Sequence, residues 1–465
     1  MSQAIEVNAA AAKANASQTL AYFLAGVQFN DLPAAVVSRA EESFLDWFAC
    51  VLSGRGARPV AILEQFASAM GPLGGPSEIM VSRNRSSPFF AALVNGAASH
   101  VIEMDDVHNG ATLHPGVVVF PAVFAAAQQI NASGPELIAA AVVGYEMTIR
   151  VGEFLGPAHY KIFHTTGTAG TVGAAAAVAR LLKLDSQKML HAIGTAGTQA
   201  AGLWEFLNDG AESKPLHAAK AAADGLLSAF LARDGFTGAS HVLEGRRGMA
   251  AGMSSGTDPA KLIEGLGLNW RIMGCSTKVY ACCRHTHPSA DALMALIREN
   301  RFKAEDIVQI TAHVHQEAID VLGAVGAPQT IQQAKFSMGF VLALIAFRGH
   351  ASIDDFSDDT LRDPRIPAFV DRVEMVFDPE IDRAPSNLWG GRVEVMTRDG
   401  RQLEGRVPVA KGDPGKLLER SELESKAMRL AAYGGAASPE EMRRIISAAW
   451  SLRDAPNLDQ FTLGK

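Results

Sequence analysis

Cysteine is scarce in this chain: four residues in 465, of which Cys282 and Cys283 are adjacent and badly placed to bridge to each other. That excludes a small disulfide scaffold and fits a reducing compartment. A surplus of positive charge is missing too. Lys plus Arg number 42 against 49 Asp plus Glu, a formal net charge of -7, so nothing is set aside to neutralise a phosphate backbone and nucleic acid is not expected as a partner. The five tryptophans, at 47, 204, 270, 389 and 450, show no base-stacking pattern. Long apolar runs are absent as well: the stretches at 116–127 and 340–347 fall short of the roughly 18 residues a membrane span needs. The N-terminal MSQAIEVNAAAAKANAS lacks the basic and apolar regions of a secretory leader. A soluble, cytoplasmic protein is expected. What is plentiful is apolar sequence, 48% hydrophobic against 20% charged, which at roughly 100–200 residues per domain predicts about two to four globular domains.

Up to about residue 265 the apolar residues recur at three- and four-residue spacing between Gly, Pro and Asp. Helices are expected at 17–29, 34–52, 89–107, 121–130, 135–154, 170–184, 186–202 and 218–231. Several are alanine-rich on more than one side, which suits close packing inside a multi-layer helical bundle. The period then changes. KVYAC, IVQITAHVH, VEMVF, RVEVMT and QLEGRVPV alternate apolar and polar residues as half-buried strands do, and TRDGRQ is a hairpin signal. Helices are expected between them at 289–300 and 332–347, and again at 422–432 and 439–452 after KGDPG. The fold class read from this is mainly α: an all-helical domain, 1–267 plus 409–465, interrupted by a smaller α+β domain, 268–408.

Four segments carry residues suited to chemistry. HVIEMDDVHNGATLHPG, 100–116, places Glu103, Asp105, Asp106, His108 and His114 at a helix-to-helix junction. A capped surface turn is the plainer reading, but both neighbours look buried, and buried carboxylates need partners such as histidines, the makings of an acid/base pair. In KIFHTTGTAGTVGAA, His164 and Thr165 precede glycines spaced GxxGxxG with no strand before them, so a dinucleotide fingerprint is rejected; a helix start able to hold a carboxylate, or simply a Thr-capped helix, remains. SKPLHAAK sets Lys214 at the mouth of an apolar helix, with His217 and Lys220 following. STKVYACCRHTHPSADA brings Lys278, Tyr280, Arg284 and His287 together. Its cysteines and histidines, His285 included, lack zinc-site spacing, so no metal is expected, and Arg284 suits a carboxylate by its bidentate fork.

In this order the four segments resemble the MmgE/PrpD family, which includes 2-methylcitrate dehydratase, cis-aconitate decarboxylase and iminodisuccinate epimerase. The resemblance spans nearly the whole chain. It implies a helical domain with an α+β lid, a homodimer, no cofactor, and a cleft that handles small di- or tricarboxylates. Carried over position by position it implicates Glu103, Asp105, Asp106, His114, His164, Lys214 and His287. Departures are Glu103 where Asp is frequent, Val107 where Thr is common, and Phe340 where a decarboxylase-like pattern has tyrosine. The stretches WNDTW and GHPSDN associated with methylcitrate dehydratases are absent. CCRHTHP, DDVH and LHPG look closest to the iminodisuccinate epimerase branch. The expected activity is therefore proton abstraction next to a carboxylate, as iminodisuccinate epimerisation, with a dehydratase or decarboxylase of a tricarboxylate as the alternative. Glu103, Asp105, His108, His114, His164 and Lys214 form the expected catalytic set; Asp106, Thr165, Lys278, Tyr280, Arg284 and His287 form the expected substrate-binding set.

Overall fold

The computed structural model describes residues 15–385 and 388–463. Most of the stretch read for a leader, residues 1–14, lies outside them. Among the described residues no helix is long and apolar enough to cross a membrane. The chain is mainly α, with a small mixed sheet in its C-terminal region.

The helical part is built from α1 (Ala16–Gly26), α2 (Ala34–Ser53), α3 (Arg58–Met70), α4 (Pro88–His100), α5 (Gly116–Ile130), α6 (Gly134–Tyr160), α7 (Thr165–Leu181), α8 (Ser186–Gly197) and α9 (Ser213–Arg233). At its centre α7 is buried along its whole length and packs on α6, α9, α5 and α8. Small residues make this possible: a Cβ at Gly173 would come within 1.6 Å of Thr148 Oγ1, so α6 and α7 touch backbone to side chain. An aromatic cluster of Phe44, Trp47, Phe120 and Phe124 fills the space between α2 and α5.

Four expectations need correction. The helix expected over 89–107 stops at His100, because Glu103 adopts a left-handed backbone (φ 61°) that no α-helix continues through. The helix expected over 332–347 is two pieces, Ile331–Ala334 and Met338–Arg348, the second restarted by the Ser337 hydroxyl, which accepts the Phe340 N–H at 3.3 Å. KVYAC forms no strand: Ala281 N–H binds Ala351 O and Cys283 N–H binds Lys335 O in isolated links, not a ladder. Helix α3 was not foreseen; only Val60 and Ala67 of it are buried, so its apolar stripe is thin.

The sheet contains β5 (Ile307–Val314), β6 (Val373–Phe377), β7 (Gly391–Thr397) and β8 (Gln402–Val407), in the order β6-β5-β7-β8, with β5 and β6 parallel and the other pairs antiparallel. Helix α10 (His287–Asn300) packs on β7 and β8, and α11 (Met338–Arg348) packs on α10. Helix α12 (Arg420–Gly434) then returns to pack on α2. Earlier in the chain β1 (Ser77–Ile79) pairs with β2 (Asn84–Ser86), and a short ladder joins β3 (Val107–His108) to β4 (Cys275–Ser276), tying the acidic junction to the start of the C-terminal part.

Candidate active site

Helix α4 ends at His100, and the turn after it delivers two carboxylates inward. Glu103, buried, lies between two buried lysines: Lys214 Nζ, from the first turn of α9, meets Oε1, and Lys278 Nζ donates to Oε2 at 2.9 Å. Burial by itself would raise the Glu103 carboxyl, but Lys214 and Lys278 outweigh it and hold it well below the ordinary range. The same carboxylates lift Lys278 above its usual value against the pull of burial. Lys214 also lies 4.9 Å from the centre of the Phe336 ring.

Asp105 serves two imidazoles. Its Oδ2 is 2.9 Å from His100 Nδ1 and 2.8 Å from His114 Nδ1, which is also 2.8 Å from the Asp106 carbonyl oxygen. Burial opposes its charge, yet His100 and His114 keep its carboxyl well below normal. Desolvation takes His114 down to about 4 despite Asp105, so at neutral pH the ring is uncharged. With Nδ1–H turned to oxygen acceptors, the lone pair of a neutral His114 is on Nε2, and the ring lines the cavity.

That cavity has about 20 Å³ of open volume, room for little more than one water. Glu103, His114, Lys214, Arg284, His285 and Phe336 are among its walls. Arg284 rests one nitrogen, Nη2, on Asp413, while Nε and Nη1 are buried without a hydrogen-bond partner, so each keeps an N–H for a carboxylate oxygen. Thr112, Tyr160, Trp204 and Trp389 separate this cavity from an outer vestibule of about 410 Å³ and line both. A larger hollow of about 540 Å³ beside Tyr22, Phe23 and Trp270 offers Asp31 and Asp185 but no cation or histidine, and so no comparable chemistry.

Of the residues singled out in the sequence, Glu103, Asp105, His114, Lys214, Lys278 and Arg284 come together. His164 lies a layer behind, stacked on His100 at 5.6 Å and against Trp204 at 4.8 Å, with its Nδ1 3.2 Å from His217 Nδ1. Thr165 is buried at the start of α7 with its hydroxyl unpartnered. The others meet structural partners. Asp106 accepts from Gly116 N–H (2.9 Å) and Tyr145 O–H (2.7 Å). His108 Nδ1 accepts from Ala111 N–H (3.1 Å), closing a 3₁₀ turn. Tyr280 O–H donates to Asp291 (2.6 Å), and His287 packs edge-on against Tyr280.

Sequence reasoning passed over His100, Lys335 and Asp413, and weighed His285 only as a zinc ligand. His100 had a visible signal, a histidine ending an apolar helix five residues before Asp105; Asp413 reaches Arg284 only through the tertiary fold. Lys335 Nζ donates to Ile102 O at 2.9 Å, and burial brings it down to about 8. Among the described residues His100, Asp105 and His114 form the one set whose donor atoms could gather round a metal ion, all within 4.8 Å of one another. Their 2.8–2.9 Å N–O separations are those of hydrogen bonds.

The sequence matches the MmgE/PrpD N-terminal domain over residues 18–262 and the MmgE/PrpD C-terminal domain over 280–452. It is 30% identical to a cis-aconitate decarboxylase-like protein oryM of Aspergillus oryzae, with 96% of both chains covered. It is 28% identical to a cis-aconitate decarboxylase of Aspergillus terreus, with 85% of both covered. A cis-aconitate decarboxylase of Homo sapiens is 27% identical, over 88% of this chain and 86% of the human one.

Proposed function

The chain belongs to the MmgE/PrpD family, and on that premise we propose that it is a lyase that removes CO₂ from cis-aconitate or a closely similar unsaturated tricarboxylate. The relatives' names favour this alternative over the iminodisuccinate epimerisation expected from the sequence. The observation that carries the reading is the density of cations at a narrow cavity: Lys214 and Arg284 in its walls, with Lys278 behind Glu103 and Lys335 nearby. A substrate with several carboxylates answers that charge, and its arrival competes with Glu103 for the two lysines.

Decarboxylation leaves the electron pair of the broken C–C bond on the substrate. Buried ammonium and guanidinium groups stabilise it more than water would, because they are already oriented and the medium is of low dielectric. His114, fixed through Asp105, presents an unprotonated Nε2 and is suited to accept a proton, whereas the reaction consumes one. A separate proton donor is therefore needed. The test is product analysis with cis-aconitate, 2-methylcitrate and iminodisuccinate offered in turn in deuterium oxide. CO₂ release from cis-aconitate with one deuterium in the product is expected; turnover of iminodisuccinate alone, without CO₂, would return the protein to the epimerase reading. Loss of turnover in both His114→Ala and Lys214→Ala is the second expectation, and near wild-type rates in both would remove the site assignment.

A further inference from the structure

His285 enters the site above only as part of the cavity wall and His315 not at all, and neither is used by the carboxylate-binding argument. Their rings meet: His285 Nδ1 is 3.0 Å from His315 Nε2, and Trp389 stacks on both, at 4.3 Å and 4.8 Å between ring centres. The two histidines face different spaces. His285 lines the inner cavity and His315 lines the vestibule. With only about 20 Å³ open inside, the cavity has room for about one water, and once a substrate fills it a proton used there has to come from a group in its wall. An imidazole can take a proton at one nitrogen and release it from the other.

We propose that His285 and His315 form a two-ring proton passage in which His285 is the catalytic donor to the substrate in the narrow cavity and His315, drawing on the vestibule, keeps His285 neutral as it gives up its proton, the pair being reset from the cavity side when product leaves. This rests on the decarboxylase reading. At rest both rings are neutral Nε2–H tautomers, His315 Nε2–H donating to His285 Nδ1. Burial drives both imidazoles down, His315 to about 4, and Arg284, His114 and Lys278 add to the effect at His285 while Asp382 opposes it at His315, so neither ring is charged at neutral pH. As the C–C bond to the departing CO₂ breaks, its electron pair takes the Nε2 proton of His285. His285 Nδ1 takes the proton of His315 Nε2, and His315 Nδ1 takes one from vestibule water. When the cavity opens and product leaves, water returns a proton to His285 Nε2, the shift runs back and His315 Nδ1 gives its proton up. One solvent proton is consumed for each CO₂ released.

Long-range ¹H–¹⁵N correlation on the histidine-labelled, substrate-free protein at pH 7 should show both rings as Nε2–H tautomers. Two Nδ1–H rings, or a charged ring, would overturn the passage whatever the substrate. On cis-aconitate, His315→Ala should lower kcat about tenfold or more, within the range general acid catalysis supplies, with KM changed less than about twofold. Added imidazole, entering from the vestibule, should restore kcat. His315→Phe, which keeps a ring beneath Trp389, should lose kcat equally and gain nothing from imidazole. Unchanged kcat in His315→Phe, or a folded His315→Ala that imidazole does not rescue, refutes the passage. A wild-type protein inert toward cis-aconitate refutes the decarboxylase reading instead, and the tautomer measurement still decides the ring pair.

Discussion

Asp105 and Asp106 are neighbours in sequence, both buried, and their surroundings drive them in opposite directions. Asp105 faces two imidazoles and is held ionised; Asp106 faces a phenol hydroxyl and an amide N–H, and burial pushes it up to about 7. The consequence for stability has a definite sign. A carboxyl whose folded value lies above its unfolded one, near 3.9, favours the folded state at low pH, and that contribution is lost as pH rises from about 4 to about 7. Asp106→Asn removes the titration, so the variant should gain on wild type in urea midpoint between pH 5 and pH 8; parallel midpoints across that range would contradict the assignment. Asp105→Asn has a different effect. It takes away the charge that orients His100 and His114, and is expected to lower kcat about a hundredfold or more with little change in KM, since general acid–base groups contribute roughly 10² to 10⁴. Steady-state rates on cis-aconitate check it.

At the scale of elements, close helix packing sets the position of the site. Helix α7 brings His164 and Thr166 to its N-terminal end, where the Thr166 hydroxyl accepts the His114 N–H at 3.1 Å, and it can do so only because α6 and α9 approach within glycine distance. Gly173→Ala should cost about 1–3 kcal/mol or more through overpacking against Thr148. Gly252→Ala, in an exposed helix with nothing within 4 Å of the added methyl, should be neutral or stabilising by up to about 1 kcal/mol. Denaturant midpoints of the two variants decide between packing and mere helix propensity. This part of the fold was legible, because alanine-rich periodicity is a local signal; helix 34–52 is found at Ala34–Ser53, and four of the five expected strands exist. The turn at Glu103 was not legible. A left-handed glutamate is imposed by two lysines 111 and 175 residues away in sequence, and no local pattern encodes such a partner. The same holds for the site: residues clustered in one segment were found, while Asp413 and the His285–His315 contact depend on chain crossings that spacing does not report.

Taken whole, the molecule places its charges where its volume is least. An inner cavity of about 20 Å³ cannot admit a six-carbon tricarboxylate, since small-ligand sites run to several hundred Å³, whereas the vestibule's 410 Å³ can. Glu103 meanwhile joins Lys214 of the helical part to Lys278 of the C-terminal part, and the β3–β4 ladder adds a second tie between them. On the proposed reading, binding therefore enlarges the cavity, with the incoming carboxylates replacing Glu103 on the lysines as the ties loosen. A conformational step of this kind limits the rate at high ligand concentration. Trp204 and Trp389 stand in the wall between the two spaces and will report it. Stopped-flow fluorescence with cis-aconitate should give an observed rate that rises and then levels off, and Trp204→Phe should diminish the amplitude. Glu103→Gln, which weakens the hold on both lysines, should raise the plateau rate. A rate that climbs linearly to the mixing limit in the wild-type protein would mean that the cavity is already open in solution, and the charge-exchange account of binding would fall with it.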